Sequence, residues 1–360
     1  MANEKLEAFL VLTKINRQYL SGFTGSHGVL LIRNNAPRPP LKVRGGGELF
    51  VDDRYTIRAK RESHLPVSPL TRLKAVLSHE GRGKKIGVED TITLRELGWL
   101  KKLGRGPASR RSRGASRGGF RGTKNVVENI RAIKSPEEVV HIRKGQEIVD
   151  RIFRHLRAFI KPGKTEAQVA LEIESMAKKW GAEGLAFDPI VAFGANAAAP
   201  HHLSGNQRIG RNNFLLLDFG VLVRGYHSDF TRTLFIGKPN KKQAEVYNTV
   251  MEAQALAIAA VRAGAKARSV DAAARGYITE RGYGPLFTHN TGHGVGLQIH
   301  ELPNFSKDSE DVLRPGMIVT IEPGIYIEGW GGVRIEDVVQ VETQPRIFSK
   351  IPKDLKSMII

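Results

Sequence analysis

Four carboxylates stand inside apolar, strand-like sequence: Asp218 in LLLDFG, Asp229 in HSDFTRT, Glu322 in IEPGIY and Glu336 in GGVRIED. Gathered in an interior, such groups repel one another and lose hydration, a cost of several kcal/mol per ion unless a countercharge is supplied. A fold that accepts this sequence must therefore separate the four or bring cations to them. A fifth residue of ligand type, His293 in THNTGHGVG, lies between the two acidic pairs. Four carboxylates and one imidazole suit two divalent cations better than one. Two such ions about 3.5–4 Å apart would share a water that ionises near neutral pH, and the bridging hydroxide would attack a carbonyl carbon. The pattern points to a hydrolase.

The rest of the composition narrows the choice of metal and partner. The chain has no cysteine, so disulfides and thiolate metal sites are excluded, and oxygen and imidazole ligands favour manganese, magnesium, cobalt or zinc. Its 360 residues are enough for two domains, with hydrophobic and charged fractions of 41% and 26% that suit a soluble globular protein. The start, MANEKLEAFLVLTK, lacks the layout of a signal peptide, and FLLLDFGVLV is cut by Asp218 before it could span a membrane. A cytoplasmic protein without membrane contact is expected. The formal charge of +20 is uneven: residues 101–124 hold nine Lys/Arg and no acid, whereas 125–360 hold 30 Lys/Arg against 26 Asp/Glu. The basicity is local, and nucleic acid is not the expected partner. With Phe120 as its lone aromatic, the basic run reads as a solvated linker rather than an RNA-binding segment.

Strands alternating with helices over about 1–100 predict a small amino-terminal α/β domain. The Gly-, Ser- and Arg-rich run 101–124 marks its end, giving domains over 1–124 and 125–360. In the second, Ser135-Pro136 with Glu138 predicts a capped helix start, and Thr165 caps a second helix ending at Gly181. Residues 212–237 read as paired strands around a turn at Val223–Gly225. Helices follow at about 241–262 and 269–281, then a glycine-flanked turn carrying His293. The segment 316–342 reads as strand, turn and strand. Each acidic pair would be folded together by its hairpin, with strands supplying the rigidity a metal site needs. Asp52 and Asp53 read as a strand-ending turn rather than as ligands, and His202 as a structural neighbour of His201.

Three further histidines, His201 in AAPHHLSG, His289 and His300, could steady a tetrahedral intermediate or pass a proton to a leaving amine. Glu322, by its position, is the best general base. The order and context of the five ligand motifs resemble the pita-bread (creatinase/aminopeptidase-fold) metallopeptidases over about 126–342. YLSGFTGS, GELFVDDRYT and RAIKSPEE also resemble segments of bacterial Xaa-Pro aminopeptidases and prolidases. The resemblance implies an overall α/β (α+β) class, a small α/β domain followed by a pita-bread domain. It implies that Asp218 binds one ion, His293 and Glu322 the other, and that Asp229 and Glu336 bridge both. It further implies that His201, His289 and His300 line the substrate pocket with support from Arg334 and Tyr326, and that the chain forms a homodimer. The ions would be manganese, less often cobalt or zinc. The substrate would be a peptide with proline at its second position.

An Xaa-Pro aminopeptidase is the first expectation and a prolidase, confined to dipeptides, the alternative. A methionine aminopeptidase or a binding-only member of the fold ranks lower, since the first usually lacks a large amino-terminal domain and the second usually loses ligands. The resemblance lapses at 36–47 and 105–122, where Arg, Gly, Pro and Ser accumulate as in a surface insertion or a short frame slip.

Overall fold

The computed structural model describes residues 6, 8–33, 47–80, 85–103 and 120–360. Two units divide the chain, Met1–Arg131 and Ala132–Ile360. The first unit contains β1 (Ala8–Val11), α1 (Lys14–Ser21), β2 (Val29–Arg33), β3 (Gly47–Val51), α2 (Thr56–Glu62), β4 (Val67–Pro69), α3 (Leu70–Glu80), β5 (Ile86–Glu89), α4 (Leu94–Leu103), β6 (Phe120–Thr123) and α5 (Val126–Arg131). Its strands form one mixed sheet in the order β4-β3-β2-β1-β5-β6. Successive residues of a strand face opposite ways. Ala8 and Leu10 accordingly join Leu31, Phe50 and Leu73 on one face, while Phe9 and Val11 join Leu30, Leu49 and Leu20 on the other. Asp52 ends β3 as expected, capping the short turn Asp53–Tyr55 through the Arg54 amide.

The basic run is only partly a linker. Residues 36–46 and 104–119 lie outside the described residues, but Phe120–Thr123 pairs in parallel with Ile86–Glu89, and Phe120 packs against the core. A single apolar side chain among arginines and glycines gives this strand no visible period.

The second unit opens with α6 (Pro136–Phe159) and α7 (Glu166–Lys179), both begun by the capping boxes expected at Ser135/Glu138 and Thr165/Gln168. Then come β7 (Gly184–Leu185), β8 (Ile190–Phe193), β9 (Asn213–Asp218), β10 (Val221–Val223), β11 (Tyr226–His227), β12 (Thr231–Ile236), α8 (Lys241–Ala260) and α9 (Ala267–Glu280). The remaining strands are β13 (Gly292–Gly294), β14 (Glu301–Phe305), β15 (Ile318–Ile321), β16 (Gly324–Ile327), β17 (Gly331–Arg334), β18 (Asp337–Gln340) and β19 (Arg346–Ile347). Sheets β12-β9-β8 and β14-β13-β15-β18-β19, with the hairpin β16-β17, share one core with the four helices: Ile152, Val169, Val250 and Val270 meet Phe214, Leu217 and Val319. The turn expected at Val223–Gly225 joins β10 to β11, with Arg224 and Gly225 at φ 51° and 76°. Two left-handed residues in succession match the twist of a tight hairpin.

Two expectations need correction. The segment 316–342 forms four strands, not two, because the chain breaks at Glu322-Pro323 and again at Ile335-Glu336. Pro323 has no N–H to continue the ladder, so β15 ends and the chain changes partners. His293 lies not in a turn but in β13, between β14 and β15. Its flanking glycines let neighbouring backbone in: a Cβ on Gly292 would sit 2.0 Å from the Thr320 carbonyl oxygen, and one on Gly294 2.1 Å from that of Leu302. Among the described residues, no helix is long and apolar enough to cross a membrane.

Candidate metal centre

Both acidic pairs are built alike. Asp218 is the last residue of β9 and Asp229 stands two before β12; Glu322 follows β15 and Glu336 immediately precedes β18. Antiparallel pairing, Asp218 opposite Thr231 and Ile321 opposite Asp337, folds each pair together. Threonines of β12 then tie one pair to the other. The Glu336 amide donates to the Thr231 carbonyl at 3.1 Å, the Thr231 hydroxyl donates to Glu336 Oε2 at 2.8 Å, and the Thr233 hydroxyl donates to the Arg334 carbonyl at 3.0 Å. Sequence reading misses these threonines, although two polar residues on one face of an otherwise apolar strand are the available signal.

All five expected ligands line one cavity of about 740 Å³, together with His201, His289, His300 and Arg334. Ligand atoms of Asp229, His293 and Glu336 lie within 4.8 Å of one another. His293 Nε2 is 3.7 Å from Asp229 Oδ2 and 3.3 Å from Glu322 Oε1, and Asp218 Oδ2 accepts from Arg334 Nη2 at 2.5 Å.

The protonation of this cluster reflects missing countercharge. Burial, and then the charges of neighbouring carboxylates, push Asp229 and Glu336 well above the ordinary carboxylate range. Burial also raises Asp218, with Arg334 opposing it. Burial alone would raise Glu322, but its hydrogen bond with His293 and the charge of that ring hold it at about 2. The converse holds for His293: burial works against the imidazolium, yet Glu322 and Asp229 push it up to about 9. Protons are standing where stronger positive charge belongs. Asp218 Oδ1 and Glu336 Oε1 are buried without any hydrogen-bond partner, a costly state for a carboxylate oxygen. Hard oxygen donors without partners, beside one imidazole, fit divalent cations.

The expected pocket residues fare differently. His201 and His300 line the cavity, and among the described residues neither ring has a hydrogen-bond partner. Burial, followed by the charge of His293, lowers His300, so it stands as a neutral imidazole. His289 also lines the cavity, but both its nitrogens are engaged: Nδ1 lies 2.8 Å from the Asn290 carbonyl and Nε2 2.8 Å from the Tyr326 hydroxyl. Both of its nitrogens thus have hydrogen-bond partners, unlike those of His201 and His300. Tyr326 is buried behind the cavity wall, where its hydroxyl accepts from Arg334 Nη1 at 2.8 Å. Arg334 itself is spent on Asp218, Tyr326 and Thr231. Arg334 and Tyr326, expected to support the substrate pocket, are joined to each other beside Asp218, with Arg334 also lining the cavity. His202 also lines the cavity, and its Nε2 is 2.8 Å from the fully buried carboxylate of Glu166. That carboxylate also accepts from the Phe193 and Gly205 amides and from Asn196, fixing the loop that carries His201.

Comparison with known proteins bears on the whole chain. Residues 140–343 match metallopeptidase family M24, and residues 1–133 match the creatinase/prolidase N-terminal domain. An Xaa-Pro dipeptidase of Pyrococcus horikoshii is 36% identical over 342 residues, covering 95% of this chain and 92% of that one. Among solved structures, an Xaa-Pro dipeptidase from Bacillus anthracis, 36% identical, superposes with a TM-score of 0.88 over 100% of this chain and 96% of that one. An X-Pro aminopeptidase from Thermotoga maritima, 31% identical, gives 0.83 over 99% and 98%. Likeness that runs nearly end to end, in sequence and in architecture alike, admits one conclusion: the chain belongs to metallopeptidase family M24, with a creatinase/prolidase-type domain ahead of a pita-bread metallopeptidase domain.

Proposed function

We propose that this protein is a metal-dependent Xaa-Pro dipeptidase, a prolidase. The observation that carries the reading is the cavity walled by four carboxylates and His293, two of whose buried oxygens lack partners. The active-site residues alone do not decide between the dipeptidase and the Xaa-Pro aminopeptidase expected first; the relatives named above support the dipeptidase better. The likeness to the Thermotoga maritima enzyme keeps the aminopeptidase as the second reading.

Two divalent ions, manganese before cobalt or zinc, would be held by Asp218 on one side, by His293 and Glu322 on the other, and by Asp229 and Glu336 between them. Bound there, they supply Lewis acidity and lower the pKa of water so that it attacks at neutral pH. Glu322 takes the proton of the attacking water. His201 and His300, whose rings have no hydrogen-bond partner among the described residues, steady the tetrahedral oxygen and deliver a proton to the departing proline nitrogen. Arg334 keeps Asp218 ionised and oriented. A homodimer is part of the same proposal.

The test is direct. Protein stripped by chelator and reloaded with Mn²⁺, Co²⁺ or Zn²⁺ is assayed on Ala-Pro and Ala-Pro-Ala. Cleavage of Ala-Pro that vanishes on stripping and returns on reloading is expected. Cleavage of the tripeptide alone would favour the aminopeptidase, and no turnover of either peptide with any of the three metals would overturn both readings.

A further inference from the structure

Helix α9 carries an ion pair, four residues apart, of a buried carboxylate and a partly exposed guanidinium that neither the core nor the ligand set explains. Asp271 is almost fully buried, its side chain 1% exposed. Arg275 grips it with both arms, Nε to Oδ2 and Nη2 to Oδ1, each at 2.8 Å. The same guanidinium donates to two main-chain carbonyls beyond the helix, Nη1 to Phe287 at 3.0 Å and Nη2 to His289 at 2.8 Å, and it lies 4.2 Å from the centre of the Phe287 ring. Asp271 Oδ1 also accepts from the Thr291 hydroxyl at 2.7 Å. One carboxylate and one guanidinium thus fasten the segment 287–291 at three points.

That segment presents His289, and from His289 an unbroken series of polar contacts reaches a metal ligand. The Tyr326 hydroxyl donates to His289 Nε2, accepts from Arg334 Nη1, and Arg334 Nη2 donates to Asp218. The direction of each bond is fixed by its ends. The Asn290 carbonyl can only accept, so His289 carries its proton on Nδ1 and offers a bare Nε2; guanidinium can only donate, so the tyrosine oxygen accepts from it and its O–H donates to the histidine. The Thr291 carbonyl in turn accepts from the Glu322 amide at 2.8 Å. Shift the segment, and both Asp218 and Glu322 lose a fixed neighbour.

We propose that Asp271 and Arg275 are positioning residues of the metal centre: from helix α9 they anchor segment 287–291, so that His289 braces Tyr326 and Arg334 against Asp218. Neither residue touches substrate or ion. Outer partners of this kind typically set metal affinity and activity by about 10–100-fold. The inference rests on the metallopeptidase reading only for its activity arm.

The test is a double-mutant cycle of Arg275→Met with Tyr326→Phe, read two ways. Metal-stripped proteins are titrated with Mn²⁺ alone by calorimetry, and the loaded enzymes are assayed for kcat and KM on Ala-Pro. Arg275→Met is expected to weaken one of the two Mn²⁺ equilibria about tenfold and to lower kcat with KM little changed. In the Tyr326→Phe background the same change should add less than about threefold, because the brace is already cut. Independent, multiplying effects on Mn²⁺ affinity, or unaltered Mn²⁺ affinity in Arg275→Met, would overturn the proposal. Should Arg275→Met not fold, Arg275→Lys carries the same cycle, keeping the charge but not the fork that spans Asp271, Phe287 and His289. A wild-type protein inert toward Ala-Pro would remove the dipeptidase reading and leave the Mn²⁺ titration to judge the anchor.

Discussion

Glu336 shows how one side chain of the candidate metal centre can be a liability to the fold. Burial and three neighbouring carboxylates hold its pKa well above the ordinary 4.5, so the folded, metal-free chain keeps this proton to higher pH than the unfolded chain does. That difference weighs against folding. Glu336→Gln keeps the shape and the acceptor for Thr231 while removing the proton linkage. The metal-stripped variant is expected to melt a few degrees higher than the stripped parent, since 1 kcal/mol is worth about 2–4 °C in a chain of this size. The same change should abolish turnover and lower the Mn²⁺ stoichiometry. A lower Tm in the stripped variant would contradict the charge account.

At the scale of elements, β13 is the most demanding piece. Gly294 admits the Leu302 carbonyl where a Cβ would stand 2.1 Å away, so Gly294→Ala must move backbone rather than a side chain. The variant is expected to lose about 2 kcal/mol or more of stability and to bind Mn²⁺ more weakly, because His293 moves with the strand; calorimetry and chemical denaturation check both. This is also where sequence reading stops short. The helices are legible because Ser135, Thr165 and their partners announce their starts, and the β10–β11 turn because Arg224-Gly225 sits between alternating apolar residues. That the four acids line one cavity is legible because acids embedded in apolar strands call for a countercharge. GHG is not legible as a strand, since glycine is rare in strands and its use here depends on carbonyls at 302 and 320. Nor can the sequence say that His289 is occupied at both nitrogens: its partners, Tyr326 and the Asn290 carbonyl, are a matter of side-chain direction.

For the whole molecule, the metal-free centre dictates how stability changes with pH. His293, pushed to about 9, contributes stability that is complete below its ordinary 6.5 and lost as pH climbs toward 9. Asp229 and Glu336, raised, cost the folded state progressively above the ordinary 3.8 and 4.5. Glu322, held at about 2, contributes stability above 4.5 that is lost only as pH falls toward 2. The stripped protein is therefore expected to melt at steadily lower temperature from about pH 5 to about pH 9, more steeply above about pH 6.5, where the unfolded chain's histidine discharges while His293 keeps its proton. Added Mn²⁺ should raise Tm more at pH 8 than at pH 5.5, because at the higher pH it competes with fewer protons. Tm values that rise across this range would refute the assignment of those groups.

The threonine bonds from β12 to Glu336 and Arg334 span about a hundred residues of chain. During synthesis, Asp218 and Asp229 leave the ribosome long before the strand that completes their enclosure. A message cut short ahead of Gly331 therefore yields a polypeptide that keeps Asp218, Asp229, His293 and Glu322 but lacks Glu336 and the Arg334 partner of Asp218.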